Sequence, residues 1–415
     1  MQKTFTKFKD GAVSIYVVIF TALLVSIITI SFVRIMVGDQ RQSTNADLSQ
    51  SAYDSALAGV EDAKLALLKF KKDCQMNKNA SAGCTTLYNQ IVSNECNQFR
   101  EVLDGTQTTN KEITVQRDQG ADKDMDQAYT CVKVALETED YLGTLGQGQP
   151  YLIPLVAEMN DSGERKKIDT IEVSWYVEGD AEAGKTGIAS PLGASAGVNP
   201  TTESKPLQQT EEKWNGKESG KTAPSLLRFQ LVQADNSFTL DNFNGGNSVN
   251  TDRGTILLYP IVSDTVVTDI YALGKSAVYG QVDAPTYAKC GKDFNKVYAC
   301  TATLKMPGTV GNQSTSTIFA KLTGYYHSST TYKVIMKGVD GKVIRFDSVQ
   351  PSVDATGRAN DLYRRVDSRI QMYGDVVLPE FSVDMSEKGT AKGLFCKGLT
   401  VTDKTTDTGN TGCDS

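Results

Sequence analysis

An α+β chain is predicted: a long N-terminal helix that crosses a membrane and continues as a stem, followed by a mainly antiparallel β ectodomain with disulfide-stapled loops. Three observations carry this. An uncharged apolar run covers Ala12–Val33, a helix-forming stretch with one small-residue face follows it to about Lys72, and strand signals dominate from Thr130 onward. The domains read from these shifts are a leader over 1–11, the membrane half of the stem over 12–34, its amphipathic half over 35–72, and a β head over 73–415 containing a flexible loop at 179–225.

The leader "MQKTFTKFKDG" carries Lys3, Lys7 and Lys9 against Asp10 alone. Basic residues flanking a membrane span stay on the cytoplasmic side, so everything after Arg34 is expected outside. The apolar run is diluted only by Ser14, Thr21, Ser26, Thr29 and Ser31. At about 1.5 Å rise per residue it spans roughly 33 Å, enough to cross a hydrocarbon core. Secretory signal cores are shorter, about 7 to 15 residues.

The sequence does not turn into a loop beyond the span. "DQRQSTNADLSQSAYDSALAGVEDAKLALLKFKK" has no proline, and Leu48, Ala52, Ala56, Gly59, Val60, Ala63, Leu67 and Phe70 recur at spacings of three and four. Those spacings place them on one helical face. The expected helix measures roughly 90 Å from Ala12 to Lys72, with Gly38 its weak point because glycine costs about 1 kcal/mol relative to alanine inside a helix.

"KTFTKFKDG" joined to an apolar helix that runs on into an amphipathic half resembles a type IV prepilin, and "NADLSQSAYDSALAGVEDAKLAL" is similar to the corresponding stretch of PilX-type minor pilins. The resemblance implies cleavage by a prepilin peptidase between Gly11 and Ala12, insertion in membrane lipid, and assembly by an assembly platform into a filament of pilin subunits packed through their stems. The residues it assigns to stem assembly are Ala12, Tyr16, Phe20, Leu24, Ile27, Ile30 and Arg34. Most pilins carry glutamate at the fifth mature residue, which is Tyr16 here. That carboxylate pairs in the family with a neighbouring subunit's N-terminal amine. Its absence, with the length of the chain, implies a minor or tip subunit similar to the large pseudopilins.

The chain has eight cysteines: Cys74, Cys84, Cys96, Cys131, Cys290, Cys300, Cys396 and Cys413. They form no CxxC pair, and with one histidine in the chain the set is poorly suited to zinc. An even count in a polar ectodomain points to disulfides and an oxidising compartment. Connectivity does not follow from sequence; pairing of near neighbours is expected, Cys74–Cys84, Cys96–Cys131, Cys290–Cys300 and Cys396–Cys413.

In the head, a short helix is expected at "TTLYNQIVSNECNQFREVL". Strands are expected at "AYTCVKVAL", "IEVSWYVEG", "SLLRFQLVQ", "GTILLYPIV", "VYACTATLKM", "STIFAKLTGYY", "YKVIMKG", "KVIRFDSV" and "SRIQMYGDVVL". Asp340-Gly341 suits a type I′ hairpin. The stretch 179–225 has too few large apolar residues to offset its ordering entropy. Trp214 within it reads as a residue pinning the loop to a sheet. The stretch also admits a boundary between two β subdomains near residue 200.

"VDATGRANDLYRRVDSRIQMYGDVVLPEF" resembles a minor-pilin motif in which a small-residue turn precedes a basic strand. There Arg365, Asp367 and Arg369 would share a face opposite Val366, Ser368 and Ile370.

Catalysis finds little support. His327 has no nucleophile elbow beside it, and the acids Glu137, Glu139 and Asp140, or Asp361 and Asp367, have no fixed partnership. "DNFNGGNSVNTD" over 241–252 offers oxygen ligands for calcium without the EF-hand pattern. No metal, cofactor or catalytic residue is assigned. A net charge of -6 argues against nucleic acid as a partner. The expected function is a structural subunit of a type IV pilus-like filament whose head contacts a surface or host-cell receptor. The alternative is an uncleaved single-pass membrane protein with a ligand- or cell-wall-binding ectodomain.

Overall fold

The computed structural model describes residues 11–75, 84, 87–89, 91, 95–96, 99, 103, 112–115, 126–177, 214, 223–234, 255–262, 270–272, 285–291, 298–310 and 317–373. Residues 1–10, most of the 179–225 loop, the 241–252 stretch, and Cys396 and Cys413 lie outside the described residues.

Helix α1 (Gly11–Phe70) is 60 residues long and passes into a π-helical turn, Lys71–Gln75. It is unbroken at Gly38. Within the expected short helix, Leu87, Tyr88, Asn89, Ile91, Phe99 and Leu103 are helical, whereas Glu95 and Cys96 are not.

The strands are β1 (Ile113–Thr114), β2 (Gln127–Thr138), β3 (Tyr141–Gly146), β4 (Pro150–Pro154), β5 (Ile168–Tyr176), β6 (Leu226–Ala234), β7 (Thr255–Val262), β8 (Ile270–Ala272), β9 (Pro285–Cys290), β10 (Cys300–Val310), β11 (Thr317–Tyr325), β12 (Ser329–Lys337), β13 (Val343–Ile344), β14 (Phe346–Ala359) and β15 (Leu362–Arg369). One long apolar N-terminal helix followed by mostly antiparallel β structure with disulfides makes the chain α+β.

The chain forms two compact units, Met1–Val134 with Val353–Ser368, and Ala135–Ser352 with Arg369–Ser415. The sequence suggested a division near residue 200; instead the chain divides within β2 and again within β14. The first unit holds α1 and a four-stranded sheet in the order β1-β2-β14-β15. Asn360, with φ of 54°, turns the chain from β14 into β15. Asparagine tolerates this left-handed conformation better than most residues.

The second unit is an eleven-stranded sheet in the order β13-β12-β5-β10-β9-β7-β6-β11-β4, with β3 on β12 and β8 on β10. Its pairs are antiparallel except β7/β9 and β8/β10. The sheet returns on itself. β3 pairs with β12, and Gln147 just beyond it bridges Gly324 of β11, whose carbonyl accepts from Gly148 at 2.8 Å. Alternate residues point inward, as Thr330, Tyr332, Val334 and Met336 do on β12. Tyr332, Val334 and Met336 join Trp175, Phe229 and Leu322 in one core. A side chain every second residue on one face is what strand geometry supplies.

Two local expectations are corrected. Among the non-glycine residues with positive φ, Asp340 is absent, while Gly341 has φ of 75°. Gly341 N–H donates to Gly338 O at 2.9 Å and Gly338 N–H to Lys342 O at 2.9 Å, so the turn places one left-handed residue where type I′ needs two. The run "VDATGRA" is strand β14 rather than a turn, and β15 ends at Arg369, so Ile370, Gln371, Met372 and Tyr373 fall after it; 374–378 lie outside the described residues.

Candidate functional site: the stem helix and its seat

The two halves of α1 differ in what covers them. From Ile15 to Val37 every large apolar side chain is at least 42% exposed, Tyr16 reaching 72% and Phe20 68%. This segment is long and apolar enough to cross a membrane. Tyr16, Phe20, Leu24, Ile27, Ile30 and Arg34 are all exposed; Gly11 and Ala12 open the helix. At 3.6 residues per turn, the seven stem positions fall within an arc of about 120°.

The hydroxyls in the run find partners within the helix. Thr21 Oγ1 donates to Val17 O at 2.9 Å, Ser26 Oγ to Ala22 O at 2.8 Å, Thr29 Oγ1 to Val25 O at 2.7 Å and Ser31 Oγ to Ile27 O at 2.8 Å. In hydrocarbon an unpaired polar group costs several kcal/mol, so self-satisfied hydroxyls are compatible with lipid. Residues 38–47 are exposed all round.

From Leu48 onward the helix lies on its own sheet. Ala52, Ala56, Val60, Ala63, Leu67 and Phe70 are buried, as their spacing predicted, and Leu48 is half-buried. Ser55 and Ala66, which the apolar pattern missed, are buried beside them. Ser55 resolves its polarity by donating to Ser51 O at 2.8 Å. Both are small residues next to predicted ones, and residue size rather than polarity was the available signal.

The approach is backbone to backbone. A Cβ on Gly357 of β14 would lie 2.2 Å from both Ala52 O and Ala56 N, and one on Gly59 would lie 2.9 Å from Val132 Cγ2. Glycine permits such proximity because nothing projects from its Cα. Polar contacts fix the register: Tyr129 Oη donates to Asp62 Oδ2 at 2.7 Å, and Arg364 Nε to Ser49 Oγ at 2.7 Å.

Around this seat the segment 74–131 is stapled. Cys74–Cys84 and Cys96–Cys131 are disulfides, as near-neighbour pairing predicted, and Cys290–Cys300 joins facing positions of β9 and β10 in the second unit. Arg358 binds Glu112 at 2.7 Å and Asp126 at 2.8 Å. Hydrogen bonds to these two carboxylates, Glu112 first, hold its guanidinium protonated far above the ordinary value. Arg365 is exposed on β15 and forks onto Asp354.

Two of the acids considered for catalysis are held in separate ion pairs. Glu137 meets Arg345 at 3.4 Å, and Asp140 meets Arg369 at 2.9 Å. His327 donates from Nε2 to Ala223 O at 2.7 Å. Trp214 is buried, donates to Pro224 O at 3.0 Å and stacks on Tyr326 at 4.1 Å, pinning its loop as expected. Trp175 Nε1 donates to Ser225 O at 2.9 Å. Three consecutive carbonyls, Ala223 to Ser225, therefore each accept from a ring N–H.

Comparison with protein-family models, curated proteins and solved structures yields no match.

Proposed function

We propose that this protein is a pilin-like subunit, anchored through α1 and assembled into a type IV pilus-like filament as a minor or tip component. The observation that carries the reading is the division of one continuous helix into a bare apolar half and a half seated on its own sheet. Bare apolar surface of this extent demands a cover. Membrane lipid supplies it before assembly, and neighbouring stems supply it afterwards. A small-residue seat fixes the first unit's sheet to the stem while the apolar half stays available.

The leader ending at Gly11 supports processing by a prepilin peptidase, and the disulfides support an extracytoplasmic head. The head then presents contacts to a surface or host-cell receptor. Tyr16 in place of a carboxylate agrees with a subunit that lacks a neighbour above it.

A second reading has its own support. The hydroxyls of Thr21, Ser26, Thr29 and Ser31 are satisfied within α1 and ask nothing of a neighbouring helix. A plain single-pass anchor would look the same.

Mass spectrometry of the N-terminus, on protein from membranes and from sheared surface filaments, tests the choice. A chain beginning at Ala12 in the filament fraction is expected. A chain retaining the leader and confined to membranes would replace the filament reading with the anchor.

A further inference from the structure

Each unit is built from two pieces of chain. The first is assembled from two distant pieces, residues up to Val134 and the short return Val353–Ser368. Between them the chain leaves for about half its length. The points of departure and return lie on β2 and β14, which are neighbours in the first unit's sheet. Neighbouring strands are about 4.8 Å apart, so the excursion begins and ends close together. Closely spaced ends let the first unit close across the excursion, and the chain re-enters the second unit at Arg369.

The residues of the first unit close across this excursion. Arg358, after the return, grips Glu112 and Asp126, before the departure, and Thr130 Oγ1 donates to Thr356 O at 3.4 Å. Gly357, also after the return, forms the floor under Ala52 and Ala56. The first unit holds the disulfides Cys74–Cys84 and Cys96–Cys131. The second has its own disulfide, its own continuous core and a sheet that returns on itself.

We propose that the second unit, Ala135–Ser352 together with the piece from Arg369 onward, folds and unfolds on its own, and that incorporation into the filament is a property of the first unit alone. The second clause rests on the filament reading above; the first does not. The second unit then carries the contacts made with the outside.

The test uses the full chain in detergent, with one substitution in each core. Leu322 of β11 and Leu67 of α1 are both fully buried. Hydrogen exchange in L322A is expected to lose protection by about thirtyfold or more at amides of 135–352, and by less than about threefold at amides of α1, β1 and β15. L67A should show the reverse. Should L322A fail to accumulate, the milder I153V, at a fully buried site of β4, serves with a loss of about threefold to tenfold. Equal loss in both units for either second-unit variant would overturn the independence.

For the second clause, L322A or I153V should reach the sheared filament fraction at the wild-type level, whereas L67A should be depleted. Depletion of the second-unit variants beside a wild-type chain that is present would overturn it. Absence of the wild-type chain itself would instead remove the filament reading, and with it the second clause, while the exchange data still decide whether the second unit is independent.

Discussion

The first and second halves of α1 share one backbone geometry and oppose each other in everything the side chains do. Between Ile15 and Val37 large apolar residues face outward on every side; between Ala52 and Phe70 small and apolar residues are pressed onto a sheet along one face, and Tyr53, Leu57 and Leu65 are left outside. Helical hydrogen bonding is therefore no guide to what stabilises each half. The first needs an apolar solvent or partner, and the second needs close packing that only small residues permit.

The sharpest way to break the comparison is to loosen one half and watch the other. Replacing Cys96 and Cys131 by serine removes a staple spanning 35 residues, and the chain-entropy model assigns such a loop about 4 kcal/mol. Thermal unfolding of the first unit in detergent should fall accordingly, with membrane retention unchanged. Gly357→Ala comes next. Its new methyl meets backbone atoms that cannot rotate away, so a loss of about 3 kcal/mol is expected, read as a lower denaturant midpoint. Ile27→Arg attacks the opposite half. A charge near the middle of a span costs about 3 kcal/mol on insertion scales, so fractionation should show reduced membrane association while the unfolding of the seat stays as in wild type.

Gly38→Ala sharpens the contrast with a change of sign. A Cβ there would meet nothing within 4 Å. Alanine should stabilise the exposed stretch of helix by about 1 kcal/mol and slow amide exchange around it. The same substitution at two glycines thus has opposite outcomes, decided by what lies next to each.

The smallest effect is on pH dependence and lies in the second unit. Burial alone would raise the carboxyl of Glu158, but hydrogen bonding and charge from Lys166, with the Arg345 backbone N–H, outweigh burial and lower it. A carboxylate held below its unfolded value of about 4.3 adds stability above that value, which is lost as pH falls through the folded one. Acid titration of unfolding should show this loss below about pH 4, and Lys166→Met should reduce it.

Much of the stem was legible because helix periodicity is local. The face from Leu48 to Phe70 followed from spacings of three and four, and the disulfides of the described cysteines followed near-neighbour pairing. Strand positions were legible for the same reason: "YKVIMKG" alternates as β12 does, whereas Val173, Ser174 and Trp175 of β5 are buried in succession. Partner choice was not legible. Nothing near residue 130 announces that β2 lies beside a strand more than two hundred residues later, and nothing in "VDATGRA" separates a small-residue turn from a strand made small to receive a helix. The hairpin at Gly341 was located but mistyped, since one glycine suits several turns and the hydrogen bonds choose among them. The seat's polar contacts, Tyr129 with Asp62 and Arg364 with Ser49, join residues that only the folded sheet brings together.

The ring N–H groups on the carbonyls of Ala223 to Ser225 have a spectroscopic consequence. The chain contains two tryptophans, Trp175 and Trp214, and both hold this one tripeptide from within the second unit. Intrinsic emission is therefore blind to the stem and its seat. A red shift on heating reports the opening of the second unit, and tyrosine or exchange signals are required to see the other half of the molecule melt.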